Sequence, residues 1–150
     1  MLSTIVLPWL HYLAILMMAG AAVAELYLLK LKPSDEVVRL LSRVDLVYGI
    51  TAGAVLITGL LRVYHGGKGA DYYWHNGAFH GVLGLFILAA LISLVPTVRY
   101  ARWKKALATG ALPGEAEIRK TRPLVHVQLT LVALMALLIT MVARGYATAA

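Results

Sequence analysis

The residue types able to do chemistry in this chain are few: five histidines, seven acidic residues and no cysteine in 150 residues. Without cysteine there is no disulfide, thiolate metal site, iron–sulfur cluster or thiol nucleophile, so any metal must be held by His, Met or carboxylate. Two sets of residues stand out. His11 and His80, with Arg62 and Arg144, have the types needed for haem b: two neutral imidazoles from different helices can take both axial positions of the iron, and two arginines can pair with the propionates. Glu25, Asp45, Tyr48 and His126 form the second set, in which Glu25 and His126 are a candidate proton-exchanging pair. The bland alternative for both sets is hydrogen bonding that fixes helix packing. No Ser/His/Asp signature, phosphate-cradling glycine loop or nucleic-acid motif is visible.

The elements that must position these groups follow from composition. The chain is 61% apolar and 14% charged, against soluble averages of about half and a quarter. Four apolar runs, Val6 to Leu29, Leu46 to Tyr64, Phe79 to Tyr100 and Leu124 to Ala143, each reach the roughly 20 residues that a helix needs to cross about 30 Å of hydrocarbon. The expected fold is therefore all-α: a single integral membrane four-helix bundle over residues 1–150, running up-down-up-down with short hairpin connections. The sequence Ala22-Val23-Ala24 resembles a signal-peptidase site, but no basic residue precedes the apolar run, and span 1 is expected to be retained.

A net charge of +7 in a soluble chain would suggest nucleic acid. Here eleven of the fourteen basic residues lie in the two connections between spans 1 and 2 and between spans 3 and 4. Under the positive-inside rule those connections are cytoplasmic and the termini periplasmic, in a bacterial inner membrane, with lipid and not nucleic acid as the partner. Ser34-Asp35-Glu36 reads as the cap of a short amphipathic helix before span 2, and span 3 is expected to bend near Pro96 and to continue towards Lys105.

Helical phase then gathers the polar groups. His126, Thr130, Ala133, Leu137, Thr140 and Arg144 share one stripe of span 4; Tyr48, Ala52, Val55, Gly59 and Arg62 share one of span 2; His11, Met18 and Glu25 share one of span 1; His80 lies above Gly84, Ile87 and Leu91 in span 3. Taking each stripe as inward-facing places His11, His80, Arg62 and Arg144 in an outer layer and Glu25, Asp45, Tyr48 and His126 in an inner one. The Gly49 and Gly53 pair is also read as packing inward. His65, His75 and the aromatic run from Tyr72 to Trp74 suit the interfacial belt.

Several segments resemble a bacterial family of small four-span membrane proteins of uncharacterised function: Leu10-His11 with Glu25-Leu26, Asp45 with Tyr48-Gly49, Thr58-Gly59 with Arg62, Lys68-Gly69 before Tyr72-Tyr73, Phe79, Ser93 with Pro96-Thr97 and Trp103, and Ala143-Arg144-Gly145. These run through essentially the whole chain. A fainter similarity extends to the HemJ-type protoporphyrinogen oxidases, which carry an early histidine in span 1 and a His-x-Lys pattern opening span 3. His11 and His80 match those histidines. The lysine position is Val82, which can neither pair with a substrate carboxylate nor exchange a proton.

Three readings follow. The first is a haem b between spans 1 and 3 serving electron transfer, with a redox partner or quinone. The second is a non-enzymatic membrane partner or small transporter without cofactor, and the third a residual porphyrinogen oxidase. A homo-oligomer is compatible with each.

Overall fold

The computed structural model describes residues 2–66 and 68–146. After a π-helical turn, Leu2–Val6, come α1 (Leu7–Leu28), α2 (Asp35–His65), a short α3 (Ala70–Trp74), α4 (Gly77–Ala106), a 3-10 turn (Leu107–Thr109) and α5 (Glu115–Ala143); no strand occurs among the described residues. α1, α2, α4 and α5 are all long and apolar enough to cross a membrane. Leu16, Ile50, Ile57, Ile87 and Leu137 are among the many large apolar side chains left exposed, a surface that suits hydrocarbon and would be a liability in water.

Local chemistry explains where the helices start and stop. Pro8 sits in the first turn of α1, where its missing donor is no loss. Ser34 caps α2 by accepting a hydrogen bond from the Val37 N–H at 3.2 Å, with Asp35 and Glu36 in the first turn complementing the helix dipole. The expected short helix and span 2 are one continuous α2 of 31 residues, about 46 Å long at 1.5 Å per residue. Likewise α5 begins nine residues before the apolar run at Leu124, because a helix needs no change at the hydrocarbon boundary. Asn76 opens α4 by accepting from the Phe79 N–H at 3.1 Å, and Gly110 ends the segment after α4 with φ 73°, a conformation that favours glycine.

α1 packs most extensively on α2, and α4 on α5; lighter α2–α4 and α1–α5 contacts close the ring. The molecule is thus two hairpins docked along a seam. The main core joins Met18, Ala22 and Leu26 of α1 to Leu41, Tyr48 and Val55 of α2, Tyr100 and Trp103 of α4 and Val125 of α5. A smaller cluster of Val63, Ala78, Phe79 and Val142 fills the end of the bundle near the chain termini. There the Lys68 ammonium donates to the Ala143 carbonyl at 2.7 Å, a carbonyl that the end of α5 leaves open, and the Tyr72 hydroxyl donates to that of Val142, which also accepts from the Gly145 N–H at 3.1 Å.

Two of the four expected inward stripes face inward, and two face out. Met18, Glu25, Tyr48 and Val55 are buried. In α4, by contrast, His80, Gly84, Ile87 and Leu91 are all exposed, and in α5 so are His126, Thr130, Ala133, Leu137, Thr140 and Arg144. The buried face of α5 carries Ile118, Thr121, Val125, Gln128 and Leu131, and that of α4 carries Ala89, Pro96, Tyr100 and Trp103. Gly49 and Gly53 are exposed as well. Lipid-facing positions are as apolar as core positions, so a few histidines set the phase, and histidines near helix ends can sit at the bilayer interface.

Ala22 is fully buried between the helices while its neighbour Val23 is 41% exposed. Ala22→Leu should therefore lower the thermal midpoint in detergent by overpacking, at a cost of about 1–3 kcal/mol, whereas Val23→Leu should leave it unchanged; helical circular dichroism against temperature reads both.

Candidate functional site

The buried polar groups of the seam converge at the end of the bundle that carries the basic connections. Glu25, 1% exposed, lies in the last turn of α1; Asp45 and Tyr48 lie on one face of α2; Thr97 and Tyr100 face them from α4. The Tyr100 hydroxyl donates to Glu25 Oε2 at 3.2 Å, and the Thr97 hydroxyl donates to Asp45 Oδ1 at 2.8 Å. Both bonds cross from one hairpin to the other. Glu25 and Asp45 are within electrostatic reach of each other, and Tyr48 of both. Glu25 Oε1 is buried with no hydrogen-bond partner.

No basic side chain bonds to either carboxyl among the described residues. Arg99 is directed to Thr121, donating at 3.0 Å; Arg122 donates to the Leu29 carbonyl at 2.9 Å; Arg102 pairs with Glu117 at 2.8 Å. Glu117 also accepts from Trp103 Nε1 at 3.0 Å, and the Trp103 ring leans on Tyr100 with centroids 5.5 Å apart. Pro96 is buried one residue before Thr97 and four before Tyr100. Its ring leaves the Ile92 carbonyl without the usual N–H partner, so α4 is least constrained at the level of the cluster.

His126 is exposed on the outward face of α5, and Glu25 has Tyr100 as its partner in its place. Of the expected inner layer, Glu25, Asp45 and Tyr48 come together and His126 does not. Thr97 and Tyr100 lie off the His80 stripe of span 3. Their signal in the sequence is the spacing of Pro96, Tyr100 and Trp103, a second stripe of α4 that is buried.

Of the expected outer layer, His11 and Arg62 lie within electrostatic reach of each other, whereas His80 and Arg144 are exposed. His11, half-buried, bonds through Nδ1 to Thr58 Oγ1 at 2.8 Å. Thr58 gives its own proton to the Ala54 carbonyl at 2.6 Å, so the imidazole must be the donor and its Nε2 carries the lone pair. His80 Nδ1 likewise bonds to the Asn76 carbonyl, at 3.0 Å, which fixes the same tautomer. Tautomers of this kind suit metal ligation, but the directions do not. The His11 ring rests against α2, where a Cβ added to Gly59 would lie 3.2 Å from its Cε1. His80 points outward beside Trp74, with ring centroids 6.1 Å apart. Arg62 stacks over the Tyr12 ring at 5.1 Å, and Arg144 is exposed at the end of α5. These four residues do not fit a haem held between α1 and α4. No group of three or more His, Cys, Asp or Glu suited to a metal ion occurs among the described residues.

A family model described as "Predicted membrane protein (DUF2214)" matches residues 3–147. The chain belongs to that family. No curated protein and no solved structure matches it. Membership in DUF2214 agrees with the four membrane-spanning helices, and it assigns no chemistry to the acidic cluster.

Purified protein supplemented with haem is expected to show no Soret band that His11→Ala or His80→Ala removes. A visible spectrum in mild detergent checks this, and a band lost in both variants would restore the paired-imidazole site.

Proposed function

We propose that this four-span membrane protein is a small proton-coupled transporter whose proton-binding centre is the Glu25 and Asp45 cluster. The observation that carries the reading is the free, buried Oε1 of Glu25 beside a second buried carboxyl with no basic partner on either. Charged groups in a membrane interior are costly and usually functional, and an uncompensated buried pair of carboxylates costs several kcal/mol per ion. A proton, or a cation in its place, balances the charge.

The donors around the pair support the same reading. Tyr100 and Thr97 each donate to one carboxyl and leave the other oxygen of Glu25 for the exchanging proton. Because both donors belong to the second hairpin and both acceptors to the first, a change in protonation alters the bonds that hold the hairpins together. Buried Pro96 lies in α4 at the same level, where bending is easiest. In this reading protonation is coupled to the docking of the two hairpins through two hydrogen bonds, so that a protonated and a deprotonated cluster favour different dockings. Electron transfer through haem on His11 and His80 is the weaker reading, because His80 faces out of the bundle.

The test uses the intact chain in vesicles containing a pH-sensitive dye, with an imposed potential, negative inside, driving proton entry. Wild type should acidify the lumen faster than empty vesicles, and Glu25→Gln should fall to the level of empty vesicles while retaining its helical spectrum. Tyr100→Phe should show an intermediate rate. Equal rates for wild type and Glu25→Gln would sink the proposal.

A further inference from the structure

We infer that the groove between α4 and α5 at the basic end of the bundle binds one anionic phospholipid of the surrounding bilayer. The inference stands apart from the acidic cluster and does not depend on proton coupling.

The groove is an open depression of about 550 Å³ and is divided by polarity. Its lower part is apolar, formed by Leu94 and Val98, which are 57% and 64% exposed. Its rim carries Arg99, Arg102 and Lys120, with Glu117 as its acidic residue. Below the groove, Ile87 and Leu91 continue the exposed stripe at helical spacing. From Ile87 to Val98 that stripe runs about 16 Å along α4 at 1.5 Å per residue, roughly half of the hydrocarbon thickness of about 30 Å. A two-part ligand is implied: an acyl chain lying in one leaflet along α4, and a headgroup at the level of Arg99.

The rim selects the charge of that headgroup. Arg99 is steadied by Thr121 and Arg102 by Glu117, yet a guanidinium has five donors, so each retains donors for phosphate oxygens. Lys120 is exposed and makes no ion pair among the described residues. Three cations against one carboxylate leave an excess of two positive charges. Glu117 is already engaged by Arg102 and Trp103, so no rim carboxylate is open to an ammonium headgroup. A phospholipid with a net negative headgroup, such as phosphatidylglycerol, therefore fits better than a zwitterionic one, and the apolar lower part favours a lipid over a soluble phosphate.

Native mass spectrometry of the full chain tests this after equilibration in detergent with equal amounts of phosphatidylglycerol and phosphatidylcholine of identical acyl chains. Phosphatidylglycerol should be retained preferentially. Lys120→Gln should reduce that preference roughly fivefold, as expected for the loss of one basic group near a lipid surface. Val98→Trp, which fills the apolar part without changing charge, should lower phosphatidylglycerol retention, and Lys104→Gln, outside the groove, should leave it unaltered. Equal retention of the two lipids, an unchanged preference in Lys120→Gln, or unchanged retention in Val98→Trp would each overturn the inference. Displacement of phosphatidylglycerol by glycerol phosphate at the same concentration would overturn it too, by showing a free-anion site.

Discussion

Burial of two carboxyl groups in the seam between two helical hairpins is the constraint around which the rest of this bundle is arranged. Most of the remaining seam is apolar, and apolar contact between helices in lipid has little hydrophobic driving force to set orientation. The polar bonds therefore fix the docking. Tyr100 to Glu25 and Thr97 to Asp45 hold α4 against α1 and α2, and the Arg122 bond to the Leu29 carbonyl holds α5 against the end of α1. All three lie at the basic end. Near the termini the polar ties run instead from the segment around α3 to the end of α5.

This asymmetry divides the molecule mechanically. Within the first hairpin, α1 and α2 approach closely enough at Gly59 for the His11 ring to fill the space a side chain would take, and Arg62 stacks on Tyr12. Within the second, Arg99, Arg102 and Trp103 of α4 reach Thr121 and Glu117 of α5. Each hairpin is internally cross-linked by polar side chains, and the bonds between hairpins depend on groups that titrate or rotate.

Much of the architecture was legible in the sequence because membrane solubility constrains length and composition directly. The four spans, the Ser34 cap and the helical continuation past Pro96 all follow from local chemistry, and the family match covers the same four spans. Facing was legible only where the polar group is a carboxyl, within an apolar run as at Glu25 or at its edge as at Asp45. Glu25 and Asp45 have no stable place in hydrocarbon, so their faces had to turn inward. His80 and His126 are weaker guides: each lies close to the end of its apolar run, where an exposed imidazole can meet the interface. α4 is also nearly uniform in hydrophobicity around its circumference, leaving nothing to correct an anchor placed on the wrong residue. The pairing of Tyr100 with Glu25 is a tertiary fact, joining residues 75 positions apart, and no local pattern states it.

The outward face of α5 shows how misleading side-chain polarity can be in a bilayer. Thr130 donates its hydroxyl proton to the His126 carbonyl at 2.9 Å and Thr140 to that of Leu137 at 2.6 Å, so each donor is satisfied within its own helix. The insertion of α5 should accordingly cost less than a residue-by-residue hydropathy sum assigns to it, and its hydroxyls are latent. A helix approaching from another molecule would find acceptors there, but it would have to break a backbone-directed bond before it found a donor.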